Sequence, residues 1–151
     1  MTLSLRQGGL ADLEAAYRLN RENFSEYWSR ESLFSALESG YDLLLCEAEG
    51  EAVGYLLSLT IIDEIQIMQI AVSPHYRRQG IASRMTAALT ASAATNRHHV
   101  RTITLEVRQS NHAARKLYAG LGFEEAGCRK GYYAPDIYGK REDAILMTRN
   151  C

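Results

Sequence analysis

Hydrophobic residues recur along this chain with two different periods, and each change of period marks a predicted secondary-structure element. Alternating or continuous β-prone runs predict strands over residues 2–6, 42–48, 52–62, 64–72, 101–108, 124–130 and 143–149. Apolar residues spaced by three and four positions predict helices from Leu10 to about Asn20 or Phe24, and over residues 30–38, 81–95 and 112–120. Ser29 and Asn111 precede the second and fourth of these helices, where N-cap residues are expected.

The order of these elements predicts an α/β fold with a single mixed sheet. Residues 49–51 join two strands closely, which predicts a hairpin. Between residues 64 and 108 a strand, a turn, a helix and a second strand follow one another, and such a crossover makes its two strands parallel. Antiparallel hairpins precede and follow it. We therefore expect helices on both faces of the sheet and a ligand cleft at the parallel pair.

Composition limits the functions open to this chain. Its 151 residues fit one domain over residues 1–151, and a formal net charge of −1 argues against non-specific nucleic-acid binding. No apolar run reaches membrane-spanning length and the N-terminus lacks a signal-peptide pattern, so no membrane partner is expected. Cys46, Cys128 and Cys151 are widely spaced and odd in number, which indicates free thiols in a reducing cytoplasm.

A strand that runs into a turn and then a helix is the strongest chemical indication in the chain. Pro74 ends the strand, polar residues follow it, and Gly80 stands directly before the third predicted helix. Free backbone N–H groups and the positive end of the helix dipole converge there, which favours a phosphate or pyrophosphate. The turn lacks the Gly-x-Gly-x-x-Gly and Gly-Lys-Ser/Thr patterns of nucleotide-binding loops. On this turn alone, an ordinary β–α connection remains the alternative.

Two motifs in the second half of the chain resemble those of one enzyme family. The pattern Arg77-x-x-Gly80-x-Ala82 resembles the coenzyme A pyrophosphate turn of the GNAT family of N-acetyltransferases. A second segment follows this turn, in the order found in the family. It resembles the family's second signature and reads Asn111-x-Ala113-Ala114-x-x-Leu117-Tyr118-x-x-x-Gly122-Phe123. Further segments narrow the resemblance to the bacterial ribosomal-protein-alanine N-acetyltransferases, which acetylate the N-terminal amine of a small-subunit ribosomal protein. These segments are Ile70-Ala71-Val72, Leu105-Glu106-Val107-Arg108-x-Ser110-Asn111, Gly131-Tyr132-Tyr133 and Arg141-Glu142-Asp143-Ala144.

The resemblance implies a fold, a cofactor and a set of binding residues. The implied GNAT fold is a mostly antiparallel mixed sheet with a splayed parallel central pair and helices on both faces. The implied cofactor is acetyl-CoA, without a metal ion. The implied partner is a protein or peptide N-terminus, bound by a monomer or weak dimer. The residues implied to bind the cofactor are Ile70, Ala71, Val72, Arg77, Arg78, Gln79, Gly80, Ile81, Ala82, Ser83, Asn111 and Tyr118.

Acetyl transfer to an amine requires a proton acceptor, because an α-amino group with a pKa of about 8 is mostly protonated at pH 7. Glu106 is the candidate base, since it lies on the polar face of a strand that ends beside the expected cleft. The alternative for Glu106 is a solvated or salt-bridged strand residue. Tyr118 matches the position of the family's general acid, which protonates the departing sulfur. Its alternative is core packing beside Leu117 and Phe123.

The residues that bind the acceptor amine follow from the family resemblance and not from a sequence motif. The family resemblance implies two loops on the acceptor side, and in them the candidate substrate-binding residues are Glu26, Trp28, Tyr132, Tyr133 and Tyr138. Trp28 could equally fill the core under the second helix. The leading function is acetylation of a protein N-terminus, in particular of a ribosomal protein that begins with alanine. Acetylation of lysine side chains or of a small amine is the second candidate, and a coenzyme A-binding module without catalysis is the third.

Overall fold

A computed structural model describes residues 2–24, 27–95 and 100–151 of the chain. The strands are β1 (Leu3–Gln7), β2 (Asp42–Ala48), β3 (Glu51–Ile61), β4 (Glu64–Val72), β5 (Thr102–Arg108), β6 (Glu124–Arg129) and β7 (Ala144–Asn150). The helices are α1 (Leu13–Asn23), α2 (Arg30–Glu38), α3 (Ile81–Thr95) and α4 (His112–Gly120), with short 3-10 turns at Leu10–Asp12 and Pro74–Tyr76. Among the described residues, no helix is both long and apolar enough to cross a membrane.

The predicted elements are confirmed except at some of their ends. The first helix is predicted to start at Leu10, but Leu10–Asp12 forms a 3-10 turn and α1 begins after it. The Asp12 carboxylate accepts the N–H of Gly9 at 3.0 Å and so holds the chain in a tighter turn before the α-helix starts. Ser29 and Asn111 cap α2 and α4 through their side-chain oxygens, as predicted.

The described strands form one sheet in the order β1-β2-β3-β4-β5-β7-β6. β4 and β5 are parallel, whereas the other neighbouring strands are antiparallel, which confirms the predicted crossover through α3. The predicted hairpin between β2 and β3 turns at Glu49 and Gly50. Their φ angles of 52° and 81° are those of a type I′ turn, whose twist matches that of the strands.

A hydrophobic core lies on each face of the sheet. The first core packs α1 and α2 on the sheet through Leu13, Ala16, Leu19, Leu33, Leu43, Leu45, Ala52, Tyr55, Leu57 and Ala71. The second core packs α3 and α4 on the opposite face and includes Ile65, Ile67, Ile81, Met85, Ile103, Leu105, Val107 and Phe123. Since Leu105 and Val107 both lie in the second core, Glu106 between them faces the α1–α2 side of the sheet.

The parallel pair separates before its strands end. Its pairing stops at Ile67 and Leu105. At the same place β4 carries a β-bulge at Met68, since Ile67 and Gln69 pair with consecutive residues of β3. An extra residue of this kind bends its strand. The last residues of β4 and β5 therefore diverge and leave an opening at their carboxyl ends, where ligands bind in sheets that contain parallel strands.

Candidate active site

The diverging ends of β4 and β5 border a cavity of about 480 Å³, called the cleft below. Residues of α1, of α4 and of the loop between β6 and β7 complete its walls. Five of the residues predicted for the site line the cleft together: Ile70, Glu106, Asn111, Tyr118 and Tyr133. The cleft thus combines the carboxylate of Glu106 on β5, the phenol of Tyr118 on α4, the amide of Asn111 at the start of α4 and the phenol of Tyr133 in the loop after β6.

Glu106 follows Leu105, the last residue of β5 that pairs with β4, and its side chain borders the cleft. Its Oε1 accepts a hydrogen bond of 2.9 Å from Nη1 of Arg129, whose guanidinium also lies 4.5 Å from the centroid of the Tyr132 ring. Arg129 belongs to β6 and reaches Glu106 across β7, where its paired residue is the small Ala144. The salt-bridge alternative for Glu106 is therefore present on one of its two oxygens.

The second carboxylate oxygen of Glu106, Oε2, is buried and has no hydrogen-bond partner among the described residues. Buried polar atoms in folded proteins nearly always have a partner, and an unpaired one costs about 1–3 kcal/mol. An N–H group of a ligand in the cleft would remove that cost. Glu106 is thus a carboxylate that is held through one oxygen, while its other oxygen is buried and unpaired.

Tyr118 extends from α4 and lines the same cleft. Its ring packs edge-on against Phe123, with 5.8 Å between the ring centroids and 64° between the planes. Its hydroxyl has no hydrogen-bond partner in the described part of the chain. Burial raises the pKa of Tyr118 to about 12, so this hydroxyl keeps its proton at neutral pH. A packed ring and a hydroxyl available to a ligand are therefore compatible.

A second cavity of about 380 Å³, called the groove below, continues from the cleft to the first turn of α3. It shares Ile70, Asn111 and Tyr118 with the cleft and ends at residues 80–83. The N–H groups of a first helical turn have no intrahelical acceptor, and those of residues 80–83 donate to no other described residue. A Cβ added to Gly80 would meet nothing within 4 Å, so the turn is open. These amides fit a pyrophosphate such as that of coenzyme A.

The backbone at the end of β4 offers its N–H groups unequally to the groove. Ser73 donates to β3 at 2.8 Å, so odd-numbered residues here direct their backbone groups to β3. The N–H of Val72 points the other way, 3.4 Å from Oδ1 of Asn23. Ile70 shares the orientation of Val72, whereas Ala71 is directed to β3 and is itself buried. Of the three predicted contacts on β4, the structure therefore turns two toward the open side.

The polar side chains of the turn also differ in what they can reach. Arg77 is engaged, because its Nη2 donates to Oδ1 of Asn23 at 2.9 Å and ties the turn to α1. Arg78 and Gln79 are exposed next to the open amides. Asn111 uses its Oδ1 to cap α4, and its Nδ2 has no partner among the described residues. The free donors near the groove thus include Asn111 Nδ2, the side chains of Arg78 and Gln79, and the backbone amides of the turn.

The predicted acceptor tyrosines lie at different distances from the cleft. Tyr133 lines it, and the guanidinium of Arg108 lies 4.1 Å from its ring centroid. Burial raises the pKa of Tyr133. Tyr132 packs edge-on against Tyr133 at 5.1 Å and is about half exposed. Tyr138 is 86% exposed and does not line the cleft. Only Tyr133 of these three borders the space beside Glu106.

Two further candidate substrate-binding residues, Glu26 and Trp28, belong to the segment between α1 and α2. Glu26 lies outside the described residues. Trp28 packs against the first core and lines a separate surface depression together with Ser32 and Ser35 of α2. Its backbone N–H donates to Oδ1 of the buried Asn20 at 2.8 Å, which anchors it beside that core. The structure agrees with the packing interpretation of Trp28.

The sequence analysis did not predict the polar residues Asn23, Gln69 and Arg108 that line the cleft, nor Arg129, which binds Glu106. No motif connects Arg129 with Glu106, since β7 separates their strands. Gln69 is bound to Asn20, and Asn20 does carry a sequence signal. It stands four residues after Ala16 in the buried stripe of α1, where a polar residue is uncommon and has to be hydrogen-bonded.

Comparisons with known proteins agree with one another. The model of the acetyltransferase (GNAT) family matches residues 11–123. A ribosomal protein bS18-alanine N-acetyltransferase from Escherichia coli strain K12 is 36% identical over 137 residues, which cover 91% of this chain and 90% of that protein. The crystal structure of the ribosomal-protein-S18-alanine N-acetyltransferase from Escherichia coli has a TM-score of 0.91 and 33% identity, and covers 99% of this chain and 94% of that chain. The structure of Ard1 from Thermoplasma volcanium, 21% identical with a TM-score of 0.85 over 99% and 98% of the chains, has the same fold.

Proposed function

The chain belongs to the acetyltransferase (GNAT) family, and on this premise we propose that it acetylates the N-terminal α-amine of a protein. The acetyl donor is acetyl-CoA, as in the family generally. The proposed acceptor is a small-subunit ribosomal protein that begins with alanine, the counterpart of bS18. This choice follows the relative from Escherichia coli, which is 36% identical over most of both chains.

The observation that carries the proposal is the buried, unpaired Oε2 of Glu106 in a cleft that continues into the groove. An α-amine with a pKa of about 8 arrives mostly as an ammonium ion at pH 7, and only the neutral form can attack. Oε2 accepts one of its protons while Arg129 holds Oε1 in position. A positioned base of this kind contributes about 10²- to 10⁴-fold in rate.

The groove residues suit coenzyme A by their chemistry. The amides of residues 80–83 would bind the pyrophosphate, and Arg78 lies beside them. The N–H group of Ile70 would meet the amide-containing pantetheine arm, and Asn111 Nδ2 offers a further donor. The N–H of Val72 faces the same side, but it already lies 3.4 Å from Oδ1 of Asn23. Bound acetyl-CoA supplies a thioester that is already activated for acyl transfer, so no covalent acyl-enzyme is required.

Tyr118 is the proposed proton donor to the departing sulfur. It lines both the cleft and the groove, and it therefore stands where the acyl end of the donor would lie. Its raised pKa, about 12, keeps the proton available throughout the neutral range. The packed contact with Phe123 holds the ring in place during transfer. Glu106 and Tyr118 thus have opposite roles, one taking and one giving a proton.

On the acceptor side, we propose that Tyr133 contacts the incoming peptide because it borders the cleft next to Glu106. Tyr132 acts on the acceptor site indirectly, because the guanidinium of Arg129, which binds Glu106, stacks on the Tyr132 ring. Both tyrosine rings carry an arginine on one face, so they order these arginines around the cleft. The ammonium group of the peptide is then met by the carboxylate of Glu106.

Mass spectrometry of small-subunit ribosomal proteins incubated with the protein and acetyl-CoA tests the proposal. We expect one acetyl group on the N-terminus of a single protein that begins with alanine. The variant Glu106→Gln in the same incubation should leave that protein unmodified. Acetylation at lysine side chains, or faster acetylation of a polyamine than of any ribosomal N-terminus, would contradict the proposed acceptor while leaving acetyl transfer in place.

A further inference from the structure

A buried hydrogen-bond network connects α1 and β3 to the cleft. Nδ2 of Asn20 donates to the hydroxyl of Tyr55 at 2.7 Å and to Oε1 of Gln69 at 2.9 Å. The hydroxyl of Tyr55 donates to the same Oε1 at 2.9 Å. Asn20 and Tyr55 are 0% exposed, whereas Gln69 lines the cleft. The proton transfers assigned to Glu106 and Tyr118 make no use of this network.

The direction of every hydrogen bond in the network is determined by one backbone group. The N–H of Trp28 can only donate, and it donates to Oδ1 of Asn20 at 2.8 Å. Nδ2 of Asn20 must then face Tyr55 and Gln69, where it also can only donate. Oε1 of Gln69 accepts two hydrogen bonds, the capacity of a carbonyl oxygen. Nε2 of Gln69 is left on the side of the cleft, with no partner among the described residues.

Gln69 and Glu106 extend from neighbouring strands toward the same face of the sheet. Ile67 and Leu105 pair with each other and both lie in the second core. Glu106 follows Leu105 and so faces the opposite side, and the bulge at Met68 turns Gln69 to that side as well. Gln69 lines the cleft but not the groove, so its amide is directed at the acceptor and not at coenzyme A.

We propose that Gln69 determines acceptor specificity by donating a hydrogen bond from Nε2 to the carbonyl oxygen of the acceptor's first residue. The inference rests on the proposed function, because it requires that the amine meets Glu106. In a peptide, a single carbon atom separates the α-amine from the first carbonyl group, so both enter the cleft together. A lysine Nζ or a polyamine nitrogen brings no carbonyl group and leaves the donor unpaired. An oriented donor beside a carboxylate therefore favours α-amino carbonyl compounds over simple amines.

The test compares L-alaninamide with isopropylamine, which lacks the carboxamide group, as acceptors for wild-type protein and Gln69→Met. Methionine has a similar length and no N–H donor. We expect kcat/KM for alaninamide to fall about tenfold and kcat/KM for isopropylamine to stay within about twofold. Comparing variant with wild type for each acceptor cancels their different amine pKa values. Gln66→Met on the same strand, outside the cleft, is the matched control and should change neither value.

A second variant tests the direction of the network. Asn20→Asp in its ionised form offers only acceptor oxygens at that position, so Gln69 has to rotate its amide, donate from Nε2 to the new carboxylate and present Oε1 to the cleft. We expect the same loss on alaninamide, and no additional loss when Gln69→Met is combined with it. The affinity for an alanine-starting peptide, measured with coenzyme A in place of acetyl-CoA, should fall in parallel and reports binding without turnover.

Three outcomes separate the two proposals. Equal losses of Gln69→Met on both acceptors, or no loss on alaninamide, overturn the role of Gln69 and leave the proposed function intact. Wild-type protein that uses isopropylamine as well as alaninamide and alanine-starting peptides overturns both. Unfolding midpoints identify a variant that fails to fold, and Gln69→Glu, which keeps the shape and removes the donors, then replaces Gln69→Met in the same comparison.

Discussion

Replacing Glu106 with glutamine tests the proposed base with little change in shape. Glutamine keeps an Oε1 that can accept the 2.9 Å hydrogen bond from Arg129, and puts at the buried Oε2 position an NH₂ group that cannot take up a proton. Loss of a general base reduces rates by about 10²- to 10⁴-fold. At 1.36 kcal/mol per tenfold, the barrier rises by about 2.7–5.4 kcal/mol. We expect kcat on an alanine-starting peptide at pH 7 to fall by that factor.

The same substitution should hardly change stability. The side chains of Glu106 and Arg129 are 28% and 59% exposed, and ion pairs with this access to water contribute about 0–1 kcal/mol. For a chain of this size, 1 kcal/mol corresponds to about 2–4 °C in the unfolding midpoint. Glu125→Gln is the matched control, because Glu125 forms a 2.6 Å ion pair with Arg115 away from the cleft. It should retain the wild-type kcat.

Acetylation of the peptide is best followed by mass spectrometry, because Cys128 and Cys151 are exposed and would react with a thiol-detecting dye. The residual rate of Glu106→Gln should rise about tenfold from pH 7 to pH 9, as the neutral fraction of an amine with a pKa of about 8 increases. A variant rate within threefold of wild type at pH 7, or a residual rate that does not respond to pH, would refute the assignment of Glu106 as the base.

Three further predictions concern Tyr118, alkaline stability and the turn before α3. Tyr118→Phe keeps the ring contact with Phe123, so its unfolding midpoint should stay near wild type. Its kcat should fall about 10- to 100-fold, because a thiol with a pKa of about 8.5 needs only moderate help to leave. An unchanged kcat would contradict the role of Tyr118 as proton donor. Burial raises the pKa of Tyr55 and of Tyr118 to about 12, above the unfolded value of about 10, so their contribution to stability is present below pH 10 and lost between pH 10 and 12. Urea unfolding of Tyr118→Phe should therefore lose stability less steeply over that range, by about 1.36 kcal/mol per pH unit; equal slopes would argue against the buried hydroxyl. Gly80→Ala places a Cβ on a residue with a φ of 75°, which strains the backbone by about 1–2 kcal/mol. It should raise the Kd for coenzyme A, measured by calorimetry, about tenfold with little effect on kcat. An unchanged Kd would place the pyrophosphate elsewhere.

The type and order of the elements were predictable because local signals and topology agreed. A strand, a turn and a helix followed by a strand between residues 64 and 108 permit a parallel pair, and the structure has that pair. The start of the first helix was not predictable from spacing alone. Leu10 continues the apolar stripe of α1, yet the hydrogen bond from Gly9 to the Asp12 carboxylate holds the chain in a 3-10 turn there.

For the site, strand alternation predicts which face of the sheet a side chain occupies, but not its partners. Alternation with Leu105 and Val107 puts Glu106 on the face away from the second core, but it does not decide between a salt bridge and a proton acceptor. The structure shows the salt bridge on Oε1 and leaves Oε2 without a partner among the described residues, so the role of proton acceptor stays a prediction. Arg129 could not be predicted, because its approach to Glu106 depends on the order of three strands and on the small size of Ala144 between them.

One inserted residue, Met68, accounts for what strand alternation could not predict at the cleft. In a regular strand Gln69 would share a face with Ile67 and would lie in the second core. Instead these two residues pair with consecutive positions of β3, so Gln69 faces the side of Leu57, where the buried Asn20 can bind its carbonyl oxygen. The same bulge bends β4 away from β5. Gln66 and Gln69 stand three positions apart, so the alternation of polar and apolar residues changes phase at Met68, but this spacing alone does not distinguish a bulge from a buried polar residue. The opening of the cleft and the orientation of its amide donor therefore have a common cause that the strand pairing reveals.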